Sequence, residues 1–304
     1  MTTSMPSSAN ARHVRFGAHA LELGGPQLGE LRDSNALLDD VVALRARYAE
    51  DGYLLVRGLH DREQVLTARR QMLEQVAAAG RLDPARPVMD AGIGTGDGVV
   101  GDLTVAPAFQ GLVRSPRLMR FFGDFLGGPA LTYDFQWMRL IPTGVATGAH
   151  YDIVYMGRGT DQVMTCWTPL GSVSYDQGPL AICVGSHRDP RFSRLRDTYG
   201  RMDVDRDRVA GWFSEDPLEI VDRFGGRWAT TEFQPGDALI FGMYTLHASL
   251  MNVSDRFRLS SDTRYQLASE PVDERWVGAQ PKGHYGWHAG SQTPMAEKRK
   301  EWGV

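Results

Sequence analysis

The chain has 304 residues, an apolar content of 42% and a formal net charge of −4 at pH 7. This apolar content supports the core of a sizeable domain, and a net negative charge without a basic stripe argues against a nucleic-acid partner. Residues 1–10 lack the cationic start and apolar run of a signal peptide, and no stretch approaches the roughly eighteen apolar residues of a membrane span. We therefore expect a cytoplasmic monomer or homodimer that binds a small molecule, with neither a membrane nor a nucleic-acid partner.

The N-terminal part is predicted to alternate amphipathic helices with one buried strand. Each helix has a side chain that can cap its start, and glycines follow the ends of two of them. The predicted elements are a loose segment over residues 1–13, a helix over about 36–50 capped by Ser34, a strand over 52–56, a helix from Asp61 to Gly80 with Gln64 completing a capping box, and a helix from Ser115 to Gly127. We expect these helices to pack against the outside of one sheet.

A glycine-rich stretch over residues 90–97 separates the second and third helices. It contains G-x-G-x-G, but no capped amphipathic helix follows, which disfavours a phosphate-binding loop. We expect a flexible loop that borders the mouth of the active site.

The first candidate site is the triplet His150-Tyr151-Asp152, which follows a Gly/Pro/Thr loop and begins a β-prone run ending at Tyr155. Strand side chains alternate with period two, so His150 and Asp152 would lie on one face. A third ligand from another strand, His247, lies 95 residues after Asp152. Two imidazoles and one carboxylate bind one face of a ferrous ion and leave three positions for a chelating co-substrate and dioxygen.

A second triplet, His187-Arg188-Asp189, competes for this role. It follows an apolar strand and a Gly-Ser turn, and Pro190 biases the aspartate towards a turn. We place the iron on His150, Asp152 and His247, which are then also the candidate catalytic residues.

The two cysteines, Cys166 and Cys183, lie in apolar strand-like runs without C-x-x-C spacing. Buried reduced thiols are therefore expected, not a disulfide or a zinc site.

The segment over residues 190–226 is charged and long for a connection between core strands, which predicts a lid or insertion. Arg191, Arg194, Trp212 and Phe213 are its candidate substrate contacts. A solvated charged helix is the alternative interpretation.

The tail over residues 268–304 is rich in aromatic side chains, which would be costly to expose. We expect it to pack on the barrel, at a subunit contact, or over the entrance of the site. A second metal at His284 and His288 is an alternative that the surrounding aromatics disfavour.

The predicted last core strand has two different faces. Arg256, Arg258, Ser260, Asp262 and Arg264 fall on one face, and Phe257, Leu259, Ser261, Thr263 and Tyr265 fall on the other. Taken alone, this pattern indicates an edge strand with a solvated charged face.

Several short motifs follow one another between residues 130 and 266. Besides the His150 triplet they are Trp167-Thr-Pro-Leu-Gly171, Gly178-Pro-Leu180, Gly185-Ser-His-Arg188, Pro235-Gly-Asp237, His247-Ala-Ser249, Asn252-x-Ser254 and Arg258. In order and spacing they resemble the motifs of the phytanoyl-CoA dioxygenase-like iron(II)/2-oxoglutarate oxygenases. The resemblance implies a mainly β fold with flanking helices, in which a double-stranded β-helix, a cupin-like jelly roll, occupies residues 130–266 of a single oxygenase domain over 1–304.

The resemblance also implies a site for 2-oxoglutarate. Arg258, eleven residues after His247, would bind the distal carboxylate, for which a planar guanidinium is well suited. Because this spacing matches the family, we favour a 2-oxoglutarate-binding strand over a solvated edge strand. Arg256 is the alternative residue for binding the distal carboxylate.

Two further residues match positions that support the co-substrate. Ser249 could donate its hydroxyl to the same carboxylate, and Gln136 could reach the other end of the molecule. Met138 stands near this glutamine, where many relatives carry a basic residue.

By this resemblance the protein uses iron(II), 2-oxoglutarate and dioxygen to oxidise an unactivated C–H bond of a small molecule, most often by hydroxylation. Succinate and carbon dioxide are released. The alternative is a metal-binding β-barrel protein without 2-oxoglutarate chemistry, such as an isomerase, another dioxygenase or a binding module. The intact triad argues against a binding module. Arg258 argues against an isomerase or another dioxygenase, because such an enzyme has no use for a fixed distal-carboxylate anchor.

Overall fold

The computed structural model describes residues 12–96, 106–286 and 292–304. Its strands, in chain order, are β1 (His13–Phe16), β2 (His19–Glu22), β3 (Leu28–Glu30), β4 (Tyr53–Val56), β5 (Ala130–Thr132), β6 (Trp137–Ile141), β7 (Met164–Pro169), β8 (Leu180–Cys183), β9 (Trp228–Thr230), β10 (Ala238–Gly242), β11 (His247–Ser249) and β12 (Arg258–Leu267). Its helices are α1 (Val41–Asp51), α2 (Arg62–Ala78), α3 (Pro107–Val113), α4 (Pro116–Leu126), α5 (Ile153–Met156), α6 (Ser193–Asp197), α7 (Val204–Asp207), α8 (Pro217–Phe224) and α9 (Met295–Trp302). In the part of the chain that the structure describes, no helix is both long enough and apolar enough to cross a membrane.

Two β-sheets form the centre of the molecule. The larger has the order β4-β10-β7-β12-β5, with β6 also paired to β12, and the smaller has the order β11-β8-β9-β3. Tyr53 and Trp167 of the larger sheet meet Ile182 and Ala229 of the smaller one in a shared apolar layer. This arrangement confirms the predicted double-stranded β-helix. The N-terminal strands β3 and β4 complete the two sheets from outside the motif-bearing range 130–266.

Helices cover the other face of the larger sheet, as the sequence predicts. Leu44 of α1 and Phe122 of α4 pack with Ile240 and Tyr265, and the rings of Phe122 and Tyr265 stack with centroids 3.8 Å apart. Side chains of α2 and α3 pack around Leu259 farther along the sheet. Burying each such large apolar side chain contributes roughly 1.5–3 kcal/mol.

The predicted start of the first helix is wrong. Residues Asn35–Leu37 form a 3-10 turn, and α1 begins only at Val41. The side chain of Asp40 accepts hydrogen bonds from the amides of Val42 and Ala43 at 3.1 and 3.0 Å, whereas Ser34 makes no capping bond. Asp40 therefore satisfies the free amides of the first turn in place of the predicted cap. The predicted caps of α2 and α4 are confirmed.

Strand β12 lies inside the larger sheet, so its interpretation as a solvated edge strand is wrong. It pairs with β7 on one side and with β6 and β5 on the other. Its polar row is turned inward, in register with Trp137, Arg139 and Ile141 of β6 and with Thr165 and Trp167 of β7. The polar face predicted for this strand is therefore buried between the sheets.

Two N-terminal predictions are only partly covered by the described residues. The loose segment predicted over 1–13 lies almost wholly outside them, and His13 begins β1. In the predicted glycine-rich loop, Gly92 forms a β-bridge with Arg256 and Ile93 with Leu82, while residue 97 lies outside the described residues. The described part of this loop is held by backbone pairing.

The prediction of buried reduced thiols is confirmed. Cys166 and Cys183 are both free and buried, and burial raises the pKa of each thiol to about 12. Both thiols are therefore protonated at neutral pH, and among the described residues neither belongs to a group that could hold a metal.

His60, just after β4, makes folding sensitive to acid. Its ring is 5% exposed and lies 3.0 Å from the hydroxyl of Thr168, and burial lowers the pKa of the imidazole from 6.5 to about 4, with a smaller effect of Arg117. Between these two values the unfolded chain binds a proton that the folded chain does not.

We expect the free energy of unfolding to fall by about 1 kcal/mol per pH unit from this residue as the pH drops from about 6.5 towards 4. Urea unfolding of the wild type and of His60→Gln across this range measures the effect. The variant should lose part of the pH dependence, whatever its stability at neutral pH. An identical pH slope in the two proteins would show that His60 does not titrate on unfolding.

Candidate metal centre and adjoining cavity

Three predicted ligands come together at the edge of the inter-sheet space. The ligand atoms of His150, Asp152 and His247 all lie within 4.8 Å of one another, and the three residues are buried. Each histidine Nε2 lies 3.8 Å from Oδ1 of Asp152. Within residues 12–96, 106–286 and 292–304, no other group of three or more His, Cys, Asp or Glu side chains is arranged to hold a metal. Two imidazoles and a carboxylate are the donor set of non-haem iron(II) sites.

The backbone brings these ligands together differently from the prediction. His150 and His247 form a β-bridge, in which each backbone amide donates to the other residue's carbonyl at 3.0 and 3.1 Å. Asp152 has helical dihedral angles and precedes α5, so the strand predicted through Tyr155 is wrong. The amides of Tyr155 and Met156 donate to the Asp152 carbonyl, which closes a helical turn. The Asp152 side chain makes no capping bond and is therefore available as a ligand.

Both histidines are oriented through the ring nitrogen that faces away from the carboxylate. Nδ1 of His150 lies 2.8 Å from the Gly148 carbonyl, and Nδ1 of His247 lies 3.0 Å from the Thr245 carbonyl. A carbonyl only accepts, so each Nδ1 carries a proton, which leaves Nε2 as the ring nitrogen that can bind a metal. Burial lowers the pKa of His150 to about 3, which keeps this imidazole neutral at physiological pH.

Asp152 is ionised in this setting. Burial by itself would raise the pKa of its carboxyl, but the Arg264 guanidinium, and with it the hydrogen bond from the Thr165 hydroxyl, hold that pKa below its ordinary value. Neutral imidazoles and an ionised carboxylate are the protonation states that a metal requires of its ligands.

Arg258 lies on the inward face of β12 and is 2% exposed. Its Nη1 donates to the Gly178 carbonyl, but its Nε is buried without a partner. Burial lowers the pKa of this guanidinium to about 10, so it remains a cation at neutral pH. A buried cation with an unsatisfied donor fits an anionic ligand, because leaving that donor unpaired is costly.

Two buried serines, Ser260 and Ser249, are further candidates for contacting an anion. The Oγ of Ser260, two residues further along the same face of β12, is also buried without a partner. The Oγ of Ser249 accepts a bond from the Thr147 amide at 2.9 Å. Ser260 was not identified from the sequence, although its position on the face of Arg258 was a usable signal.

Gln136 was predicted to reach 2-oxoglutarate, but its side chain is directed towards the helices and not into the cavity. Its Nε2 donates to the Gln110 side chain of α3 at 3.3 Å, in the helical layer outside the sheet. In β6, by contrast, Trp137 and Arg139 point into the cavity. Met138 packs with the helices as well, so this side of the site is formed by its two neighbours.

A cavity of about 640 Å³ opens beside His150 and Asp152. Its walls come from β6, from residues 145–147, from residues 210–215 and from the C-terminal residues 292–299. Trp212 and Phe213 line it as predicted. Arg191 and Arg194 do not, because the first pairs with Asp189 and the second donates to the Trp302 carbonyl.

Arg139 is the cavity cation with open donors. Its Nε donates to Asp262 at 3.0 Å, its side chain is 44% exposed, and its two Nη atoms have no partner among the described residues. Much of the remaining wall is apolar, and it includes Ile141, Val145 and Met295. The cavity therefore offers an apolar volume with a positive group on one side.

The tail packs on the barrel, as predicted. Trp276 is fully buried against Trp137, with ring centroids 4.8 Å apart. Nδ1 of His284 lies 3.0 Å from Asp205, and His288 lies outside the described residues. The alternative metal triplet is not assembled either, since the His187 ring lies 3.1 Å from the Ala49 carbonyl, away from the three ligands.

Comparisons with known proteins agree with this geometry. The family model described as phytanoyl-CoA dioxygenase (PhyH) matches residues 48–260. A 1-deoxypentalenic acid 11-beta-hydroxylase of Streptomyces exfoliatus is 30% identical over 288 residues, which cover 90% of this chain and 93% of that protein.

Solved structures share the fold. The epimerase SnoN in complex with Fe3+, alpha ketoglutarate and nogalamycin RO is 21% identical with a TM-score of 0.55, over 84% of this chain and 98% of that one. EctD from S. alaskensis with 2-oxoglutarate and 5-hydroxyectoine is 16% identical with a TM-score of 0.53, over 95% of this chain and 98% of that one. From the family match, the related hydroxylase and the His-Asp-His site, the chain belongs to the phytanoyl-CoA dioxygenase family and is a 2-oxoglutarate-dependent non-haem iron oxygenase.

Proposed function

We propose that His150, Asp152 and His247 bind the iron(II), that Arg258 with Ser249 and Ser260 binds the distal carboxylate of 2-oxoglutarate, and that the enzyme hydroxylates an apolar organic acid. The observation that carries this proposal is the buried His-Asp-His group, of which His150 and Asp152 line the cavity. The inward face of β12 adds Arg264, which contacts Asp152, and Arg258, whose Nε is buried without a partner.

Iron(II) with 2-oxoglutarate and dioxygen supplies the oxidising power, and the co-substrate leaves as succinate and carbon dioxide. The protein's part is to bind and to orient. His150 and His247 would hold the metal through Nε2 and Asp152 through its ionised carboxylate, while Arg258 would fix the far end of the co-substrate. Trp137 and Phe213 would exclude water at the cavity wall. No side chain of the protein has to act as a general base, because the bound iron and co-substrate would supply the oxidising chemistry.

The substrate class follows from the cavity and from the relative. A volume of about 640 Å³ with apolar walls suits a compact hydrocarbon skeleton. The open Nη edge of Arg139 can pair with a carboxylate, for which guanidinium is the best matched side chain. The related protein from Streptomyces exfoliatus hydroxylates an acid, 1-deoxypentalenic acid.

Residues 1–304 then form one oxygenase domain in which 190–226 is a lid or insertion. The support is that residues 210–215 of this segment form one wall of the cavity, and that the Ala149–Ser214 bridge attaches it next to His150.

The ligand assignment predicts that iron(II) binding depends on His150, Asp152 and His247 but not on His187. His150→Ala, Asp152→Ala and His247→Ala should each abolish succinate formation and greatly weaken iron(II) binding, because each removes one of three donors. His187→Ala should bind iron(II) like the wild type. Anaerobic calorimetric titration of iron(II) decides this. Undiminished iron(II) binding in Asp152→Ala, or lost iron(II) binding in His187→Ala, would show that the metal ligands are assigned to the wrong residues.

The co-substrate assignment predicts that Arg258→Ala raises the Michaelis constant for 2-oxoglutarate about tenfold or more, the scale of a lost charge-assisted bond. Arg256→Ala is the matched control, since its side chain is half-exposed and lies outside the paired part of β12. Ser260→Ala should give a smaller increase. Kinetics of succinate release measures all three, and a larger effect of Arg256→Ala would overturn the assignment.

The substrate class predicts that compact apolar monocarboxylic acids, 1-deoxypentalenic acid among them, stimulate 2-oxoglutarate decarboxylation more than their methyl esters do. Arg139→Gln should reduce this preference by about tenfold or more while leaving the Michaelis constant for 2-oxoglutarate nearly unchanged. Arg191→Gln, outside the cavity, is the control. Equal stimulation of the wild type by acids and esters would reject the carboxylate contact.

A further inference from the structure

The two oxygens of the Asp152 carboxylate have different surroundings. Oδ1 faces the metal position, 3.8 Å from Nε2 of each histidine. Oδ2 accepts a hydrogen bond from the Thr165 hydroxyl at 2.5 Å and lies 3.1 Å from Nη2 of Arg264. One oxygen is therefore open towards the other two ligands, and the second is already bonded to two donors.

Those two donors are fixed by the register of the sheet. Arg264 of β12 is paired with Thr165 of β7, so both side chains stand next to each other on the inward face. Thr165 is fully buried and Arg264 is 2% exposed. The contact with Oδ2 thus comes from two central strands and not from a loop, which favours a precise position.

Within the described residues, the Arg264 guanidinium forms an ion pair with one carboxylate only, that of Asp152. Its Nε points at the sulfur of Met156 at 3.0 Å, a weak acceptor, and its guanidinium lies over the ring of Trp137, 4.7 Å from the centroid. Because a buried cation needs an opposite charge nearby, we expect the Arg264 side chain to stay paired with Asp152.

We infer that Thr165 and Arg264 are positioning residues that hold Oδ2 of Asp152, so that this carboxylate binds the metal through Oδ1 alone. The inference rests on the proposed role of Asp152 as a ligand. A carboxylate bound through one oxygen takes one coordination position, and with two imidazoles it leaves three of six positions open. A chelating co-substrate needs two of these and dioxygen the third, so a second carboxylate oxygen on the metal would remove the place for dioxygen.

Thr165 offers a matched pair of variants. Thr165→Val keeps the shape and removes the hydroxyl donor, whereas Thr165→Ser keeps the donor. We expect Thr165→Val to bind iron(II) about 10- to 100-fold more weakly than the wild type in anaerobic calorimetry, and Thr165→Ser to bind like the wild type. Arg264→Met should show a loss of at least this size, with partial recovery in Arg264→Lys.

Coordination gives a second readout that needs no turnover. The visible absorption of the cobalt(II)-loaded protein reports the number and symmetry of the ligands. It should change in Thr165→Val, where Oδ2 is freed to approach the metal, and stay the same in Thr165→Ser. Melting temperatures of the metal-free variants separate this effect from general destabilisation.

The outcomes separate this inference from the proposed function. If the wild type binds no iron(II), or Asp152→Ala binds it normally, the ligand assignment itself fails. If those two controls behave as expected but Thr165→Val keeps the affinity and spectrum of the wild type, the positioning role is overturned and the ligand assignment stands. A lower melting temperature with unchanged affinity and spectrum would also overturn it. Should Arg264→Met not fold, the Thr165 pair still decides.

Discussion

Strand β12 carries a row of polar side chains that is buried between the two sheets. Each charged side chain in such a row needs an opposite charge or a hydrogen-bond partner nearby. Asp262 of this row is paired with Arg139 of β6, and Arg264 is paired with Asp152. Arg258, at the start of the row, has a single carbonyl partner and an unsatisfied Nε. A buried charge without a counter-charge is strongly destabilising. Among the described residues of this row, Arg258 is the cation without a carboxylate partner, which agrees with its proposed role in binding an anion.

The rest of the fold makes such a row tolerable. Helices α1 to α4 bury the outward face of the larger sheet, so its stability does not depend on an apolar inward face along its whole length. The inward face is apolar where Trp167 and Phe241 meet the smaller sheet, and polar where β12 and β6 line the cavity. One sheet thereby serves as core at one end and as binding site at the other.

The spacing of residues in the sequence was sufficient to predict that His150, Asp152 and His247 come together and that Arg258 does not lie on a solvated edge strand. The prediction of secondary structure was wrong where the local strand propensity and the tertiary contacts disagree. Ile153-Val154-Tyr155 favours a strand, but the Ile153 amide donates to the Met243 carbonyl and the chain closes a helical turn on Asp152. Gln136 differs from the prediction in its facing, since its side chain contacts Gln110 of α3 while its neighbour Trp137 lines the cavity, and facing alternates from one residue to the next in a strand region. The pairing of Arg264 with Thr165 could not be predicted, because the register between two strands nearly a hundred residues apart is not visible in either strand.

The tail that packs beside Trp137 has a consequence for how such an enzyme can diversify. Residues 292–299 form part of the cavity wall, yet in the described part of the tail they contribute no strand to either sheet and no ligand to the metal group. This part of the cavity wall is thus separate in the chain from the three residues proposed to hold the iron. Substitutions near the C-terminus can alter which skeletons are accepted while the oxidative chemistry is inherited intact, so new substrate ranges can evolve without passing through an inactive catalyst.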